Sequence, residues 1–328
     1  IIFIMKSALI WAAAGALLTV YLCTFHSAVN YSDDKWDDLY MNYISDFRKS
    51  YDSVEMFAAR KEVFKANYLK MDTHNNKEDK TYEMGLNQFS DWTQEEFEQL
   101  LGVKIPTKRT IVYDDSEYKH LQATPIDWEP KCHSVKDQGS CGSCWAFSAT
   151  AAVENAFEIK LGKKGDDLNF SEQQLVDCSR QQGNGGCNGG WMSYAFNYLT
   201  EHGFCEEKSY KYEAKDGTCR SSGCEKSEYR ISGYVDIPAS NTDALAQALQ
   251  LRAISVAVDA SNWSGYSSGI FSNCGTRLNH GVLLVGVDAD GNWRIKNSWG
   301  ARWGEKGFMR LAKGNTCGIA QVANYPTL

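Results

Sequence analysis

The chain has 328 residues, 43% of them hydrophobic and 23% charged, which suits a folded protein with a sizeable core and room for one catalytic unit plus accessory segments. A formal charge of −7 and a pI near 5.5, with no Lys/Arg run interleaved with aromatics, argue against nucleic-acid binding. Eleven cysteines point to an oxidising compartment, because cytosolic chains seldom carry so many without metal or redox work for them.

In chain order, Met5 is the first initiator candidate, so Ile1 to Ile4 read as upstream sequence, and the apolar run Ile10 to Phe25 follows Lys6. Residues 1–28 read as a signal peptide. The alternative is an uncleaved signal anchor, since the run barely approaches the roughly 20 residues that span a bilayer; only then is the membrane a partner. Either way the remainder enters the secretory pathway. Trp36, Leu39, Tyr40, Tyr43, Ile44 and Phe47 recur at helical steps, and Phe57, Val63, Phe64 and Leu69 continue after a break near Tyr51, predicting two helices. A short extended stretch around Gly85 follows, and Thr93-Gln-Glu-Glu reads as a helix start with a capping box. Residues 104–123 are polar and weakly patterned and read as a poorly buried linker that tolerates cutting.

Beyond Pro125 the texture changes to Gly-rich turns with dispersed cysteines and tryptophans. A strong helix is predicted from Cys144 through Phe157 and a short one over 171–176. Strands are predicted at 254–258, 282–287, 293–295 and 308–311. Helices first and strands later favour two lobes of different type with a cleft between them, an α+β architecture.

Cys141-Gly-Ser-Cys144 has the form of a zinc or redox CxxC pair. No second CxxC supports zinc, and no short strand-led domain supports redox exchange. Cys144 instead opens a helix, where unpaired amides favour a thiolate. A nucleophilic thiol needs a base held in one tautomer by a third group. Of six histidines, His26, His74 and His120 precede the main body and His133 and His202 sit in polar loops; His280 alone opens an apolar strand. Asn297, in Lys-Asn-Ser-Trp-Gly, can orient it without adding charge, and Trp299 can shield that bond from water. Gln138 lies six residues before Cys144; alone a glutamine in a Gly-Ser loop carries no meaning, and a role as donor to an oxyanion is what the family resemblance given next implies.

These residues, with the segment Gln138-Gly-Ser-Cys-Gly-Ser-Cys-Trp145, resemble the papain-like cysteine proteases of the cathepsin L type. The 136-residue lag from Cys144 to His280 matches the roughly 130–150 of that family. Asp127-Trp128, the segment 171–178, Gly186-Cys-Asn-Gly-Gly190 and Asn315-Thr-Cys-Gly-Ile-Ala320 extend the likeness over nearly the whole chain after residue 35.

The resemblance implies a two-lobe fold, with a helical left lobe and a β-barrel-like right lobe, preceded by a helical inhibitory prodomain. It implies boundaries of 29–122 for the propeptide and 123–328 for the mature domain, and neither cofactor nor metal. It pairs Cys141 with Cys187, Cys178 with Cys219 and Cys274 with Cys317; an extra Cys205–Cys224 bridge resembles some protozoan members, leaving Cys132 unpaired. The substrate's backbone would approach Gly189 and Gly190 as an extended strand. Trp191, Met192, Ala257, Leu278 and Val322 map onto the S2 pocket, and their apolar character implies Leu, Phe or Val at P2.

In the prodomain, Met56, Arg60, Val63, Phe64, Asn67, Met71 and Asn75 resemble the family's interspersed helix motif, with Met56 where glutamate is usual, and Gly85-Leu-Asn-Gln-Phe-Ser-Asp91 resembles its second motif. The implied activity is that of an endopeptidase zymogen, since no insertion resembles the exopeptidase loops of cathepsins B or C; the alternative is a catalytically silent, membrane-anchored homologue that binds peptides. Its tail would cross the cleft in the non-productive direction, and cutting near 122–124 would release it. Acid would promote release by protonating carboxylates such as Asp91. Implied partners are polypeptide substrates, its own propeptide and cystatin-like inhibitors of a monomeric enzyme, in a lysosome, an acidic digestive vacuole or outside the cell. Sequons at Asn169 and Asn262 suit that route.

Overall fold

The computed structural model describes residues 32–107 and 110–328; the targeting segment 1–28 and Cys23 lie outside them. The chain divides into two units at Ser50/Tyr51. In the first, helix α1 (Asp33–Phe47) carries Asp33 and Asp34 in its first turn, where the helix dipole favours acids, and ends where Arg48 turns left-handed. Its aromatic stripe is continuous: the Tyr40 and Tyr43 rings lie 6.1 Å apart and those of Tyr43 and Phe47 5.1 Å.

The second unit begins with α2 (Val54–Asn75), capped by the Ser53 side chain on the Met56 N–H. Its polar face works as a comb that grips residues 84–96. Arg60 donates to both carboxylate oxygens of Glu96 at 2.5 and 2.6 Å and to the Asp91 carbonyl at 3.1 Å. The Asn67 amide donates to the Ser90 and Trp92 carbonyls at 3.0 Å each. Asn75 mimics a strand partner, receiving the Met84 N–H and donating to the Met84 carbonyl. Met56, where an acid was expected, is exposed, and Arg60 takes its carboxylate from α3 (Gln94–Glu98) instead, whose capping box between Thr93 and Glu96 is formed as predicted. The gripped segment ends in β1 (Tyr82–Met84) on one side and α3 on the other.

Among the described residues eight strands follow the order β1-β5-β8-β7-β6-β4-β9-β3, and a ninth, the two-residue β2 (Ile126–Asp127), pairs with the far end of β6. Here β3 is Gly233–Asp236, β4 Ile254–Val258, β5 Tyr266–Phe271, β6 His280–Val287, β7 Trp293–Lys296, β8 Phe308–Leu311 and β9 Ala323–Thr327. The sheet is open rather than closed into the barrel expected, and the N-terminal part of the chain supplies one edge: β1 pairs antiparallel with β5. Helix α4 (Cys144–Lys160) lies against the sheet and α5 (Glu172–Cys178) packs on α4, while α6 (Met192–His202) and α7 (Thr242–Leu249) also meet strands. Helix α4 meets β6 through small side chains, with Ser148 Oγ donating to the Val282 carbonyl at 2.7 Å; nearly all of its residues are buried.

The strands β4, β7 and β8 and the helices α4 and α5 follow the sequence reading to within three residues at any end. The tail is the exception. Although exposed at Ile111 and Tyr113, it buries Tyr118, only 1% exposed, in the core shared with Tyr325 and Leu249. One aromatic in a polar stretch gave no periodicity to detect.

Arg60→Gln removes the fork to Glu96 and should destabilise the gripped segment by about 1.5–3 kcal/mol, the range for hydrogen bonds to charged groups. Hydrogen exchange in the full chain should then show lost protection over residues 90–98 with β6 unchanged.

Candidate active site

Two turns meet where α4 begins. The loop before the helix is fixed by Gly139 at φ +60, by the Cys141–Cys187 disulfide and by the Tyr212 hydroxyl donating to the Gln138 carbonyl at 2.8 Å. Gln138 is fully buried. Its Oε1 accepts from Ser298 Oγ at 2.8 Å, which leaves Nε2 aimed at the cleft. Cys144, the first helical residue, is buried, and its Sγ accepts the Gly281 N–H at 3.4 Å.

Opposite, His280 opens β6 and its Nε2 bonds Asn297 Oδ1 at 2.8 Å. That oxygen also accepts the Ser298 N–H at 2.8 Å, so Asn297 is an acceptor toward the ring and the proton sits on Nε2. Nδ1 has no hydrogen-bond partner among the described residues and is left as the basic nitrogen. Trp299 stacks on the ring at 4.6 Å and 25°. The structure thus gathers Cys144, His280, Asn297, Gln138 and Trp299 at one place.

It also fills that place with the chain's own prodomain. Gln138 Nε2 donates to the Leu100 carbonyl at 3.0 Å. The Gly190 N–H donates to the Gly102 carbonyl at 2.8 Å, the Lys104 N–H to the Gly190 carbonyl at 3.0 Å, and the Val103 N–H to the Asn279 carbonyl at 2.9 Å. The resulting bridge between Val103 and Gly190 is parallel. Val103 belongs to the same buried cluster as Trp191, Met192, Ala257, Leu278 and Val322. Phe89 and Phe97 close over Trp299 edge-on at 5.5 and 5.2 Å, and Gln88 Nε2 donates to its carbonyl at 2.5 Å. A Cβ on Gly189 would lie 2.6 Å from the Gly102 carbonyl, and one on Gly102 only 1.8 Å from the Gly142 carbonyl. Only backbone fits between them.

Coverage reverses the charge state expected at a helix N-terminus. Burial pushes the Cys144 thiol up to about 11, against the pull of the Gly281, Gly102 and Trp145 N–H groups and its own. Burial also pushes His280 down to about 4, although the Asn297 bond favours its cation. The covered pair is therefore a neutral thiol and a neutral imidazole.

Other supporting residues carried no signal in the sequence. Behind α4 lies a cavity of about 20 Å³ lined by Lys136, Glu154, Glu172, Lys296 and Asn297 among others. Lys136 bridges Glu154 at 2.9 Å and Glu172 at 2.7 Å, and burial pushes Glu172 up to about 7 despite that lysine. These charges lie far apart in sequence and converge only on folding, as do Ser298 and Tyr212 with Gln138. The disulfides Cys178–Cys219, Cys205–Cys224 and Cys274–Cys317 complete the pairing expected, and Cys132 is a buried free thiol.

Residues 122–327 match the model of the papain family cysteine proteases, and residues 40–97 that of the cathepsin propeptide inhibitor domain. The chain belongs to the papain family of cysteine proteases. Among relatives, Cathepsin L 2 of Paramecium tetraurelia is 44% identical over 298 residues, covering 89% of this chain and 92% of that protein. Procathepsin L 3 of the Tenebrio molitor larval midgut superposes with a TM-score of 0.81 at 38% identity, covering 89% of this chain and 99% of that one. The recombinant stem bromelain precursor superposes at 0.80 with 35% identity, covering 90% and 99%. The chain is thus the zymogen of a cathepsin L-like cysteine endopeptidase, with its propeptide as an intramolecular inhibitor.

Gly102→Val should force the papain-family propeptide off its closest approach. At an overpacking cost of about 1–3 kcal/mol, the unprocessed chain should hydrolyse a fluorogenic peptide roughly tenfold faster or more than the unsubstituted zymogen.

Proposed function

We propose that Cys144 is the nucleophile, His280 the general base and acid, Asn297 the group that orients it, and Gln138 Nε2 with the Cys144 N–H the oxyanion donors. The observation that carries this reading is the Leu100 carbonyl held 3.0 Å from Gln138 Nε2 beside the buried thiol: a peptide carbonyl already occupies the donor aimed at an oxyanion. With the cleft open, Cys144 gives its proton to His280 Nδ1 and the thiolate attacks the scissile carbonyl carbon. The oxyanion forms against the two donors. Collapse breaks the C–N bond, the proton passes from His280 to the leaving amine, and a thioester remains; His280 then takes a proton from water, whose oxygen displaces Cys144. Asn297 holds Nε2–H throughout, and Trp299 keeps water from that bond.

In the zymogen this cannot start. Gly102 packs against the Gly142 carbonyl in the loop before Cys144, and the parallel bridge at Gly190 is opposite to the direction we assign to substrate. Val103 stands in the cluster of Trp191, Met192, Ala257, Leu278 and Val322, which supports that cluster as the S2 pocket and an apolar P2 preference. Substrates are polypeptides, and cystatin-like proteins are inhibitors that the same cleft would accept. We place the propeptide at 29–122 and the mature enzyme from 123; Gln122, Ala123 and Thr124 are exposed. A signal at 1–28 and delivery to a lysosome, an acidic vacuole or the exterior complete the reading.

Cys144→Ala should abolish hydrolysis, and Gln138→Ala should lower kcat by about 10²–10³-fold. In a peptide panel varied at P2, leucine, phenylalanine and valine should outrank arginine; equal rates for arginine would remove the S2 assignment. For pH, His280 has its pKa lowered in the closed state, so its neutral form stabilises closure above pH 6.5. That stabilisation is lost as pH falls toward 4, because opening takes up a proton in this window, worth about 1.4 kcal/mol per pH unit. Propeptide release from the Cys144→Ala chain, followed by tryptophan fluorescence, should steepen below pH 6.5 and flatten in Cys144→Ala/His280→Gln.

A further inference from the structure

The tail between the cleft and the body was read as a linker, yet it is held at three places that have nothing to do with the cleft. At the first, the Asp236 N–H donates to the Val112 carbonyl at 2.7 Å while the Val112 N–H donates to Asp236 Oδ2 at 3.0 Å, and the Tyr234 hydroxyl donates to the Thr110 carbonyl at 3.2 Å. Both body residues lie on β3, the strand at the end of the sheet opposite β1. The second is Tyr118, 1% exposed, in the cluster of Val235, Ala248, Leu249 and Tyr325 and edge-on to the Tyr325 ring at 6.4 Å and 79°. The third is Arg252, which donates to Glu117 at 2.8 Å and to the Pro326 carbonyl at 3.2 Å with its guanidinium 4.9 Å from the Tyr325 ring centre. Between these anchors the chain turns on the Asp115 carbonyl, which accepts the Tyr118 and Lys119 N–H groups.

Each anchor matches one chemical feature of the tail: an open strand edge, an aromatic socket and a cation set beside it. A solvated linker would need none of them, and burying a tyrosine in a polar stretch is not the default for a segment destined for removal. We infer that β3, Tyr325 and Arg252 form a second peptide-docking station outside the cleft, specific for a segment that pairs with the strand edge and then turns to present an acidic residue followed by an aromatic one. Its resident ligand is the tail from Thr110 to Tyr118, with Tyr118 as its key.

A consequence follows for maturation, resting on the zymogen reading above. A papain-like cleft takes its substrate as an extended strand, and the bond near Ala123 lies only a few residues beyond Tyr118. The tail around that bond cannot thread through another enzyme's cleft while Tyr118 is seated and the chain turns on Asp115. Undocking of Tyr118 therefore precedes the last cut, and an intermediate that still carries the tail accumulates.

The test uses the full chain with Cys144→Ala, mixed with a trace of active enzyme at acid pH and followed by intact-mass measurement. The unsubstituted tail should give a transient body whose N-terminus lies before Tyr118. Tyr118→Ala should lose that species and complete the last cut about tenfold faster or more, whereas Tyr118→Phe should keep it, because the ring and not the hydroxyl fills the socket. Arg252→Gln, which leaves the core tyrosine in place, should shorten the lifetime of the intermediate to a smaller degree and covers the case in which Tyr118→Ala does not fold. Equal time courses for all four chains, or no tail-bearing species in any, would overturn the docking station. Self-processing of the Cys144→Ala chain without added enzyme would instead remove the assignment of the nucleophile and leave the comparison among tails intact.

Discussion

The structure depends on how closely two stretches of backbone can pass. Gly102 of the propeptide lies against Gly142 of the loop before Cys144 so tightly that a methyl group on Gly102 would sit 1.8 Å from the Gly142 carbonyl. From that approach the rest follows. Leu100 reaches the donor of Gln138, Val103 reaches the apolar cluster of Trp191 and Leu278, and the sulfur of Cys144 loses water. Inhibition is therefore more than a lid over a finished site, because desolvation holds Cys144 and His280, the pair we propose as nucleophile and base, in their neutral forms. The same residues that would make an ion pair in an open cleft are held uncharged in the closed one.

Holding one short strand in a cleft requires support at a distance. Arg60, Asn67 and Asn75 grip residues 84–96 by their backbone and by Glu96, β1 extends the sheet through β5, and Phe89 and Phe97 close on Trp299. The tail adds its own hold at β3 and Tyr325. Ligand and inhibitor share one chain, so each contact raises the effective concentration of the next without needing high affinity of its own.

Much of the site was legible in the sequence because local order carries it. Cys144 at a helix start, His280 opening an apolar strand and Asn297 before Ser-Trp-Gly are recognisable from their neighbours, and the structure puts them together. The four charges behind α4 were not legible, because Lys136, Glu154, Glu172 and Lys296 each look like ordinary surface residues until the fold removes their water. Ser298 escaped notice for a similar reason: its hydroxyl matters only because Gln138 lies across the cleft loop from it. Tyr118 was missed because a single buried ring leaves no pattern in a stretch whose other described residues are exposed or half-buried. In the fold, strands β3, β5 and β9 and helices α6 and α7 went unpredicted; β5 and β9 contain Gly269 and Pro326, which weaken a strand signal.

The central claim is that the propeptide keeps Cys144 a buried, neutral thiol until it leaves. Its most direct measurement is the rate of alkylation of Cys144 by iodoacetamide in the full-length chain and in the processed enzyme, located by peptide mapping. The account predicts negligible modification of Cys144 in the closed chain at pH 7 and rapid modification once the propeptide is removed. Equal rates before and after removal would contradict it.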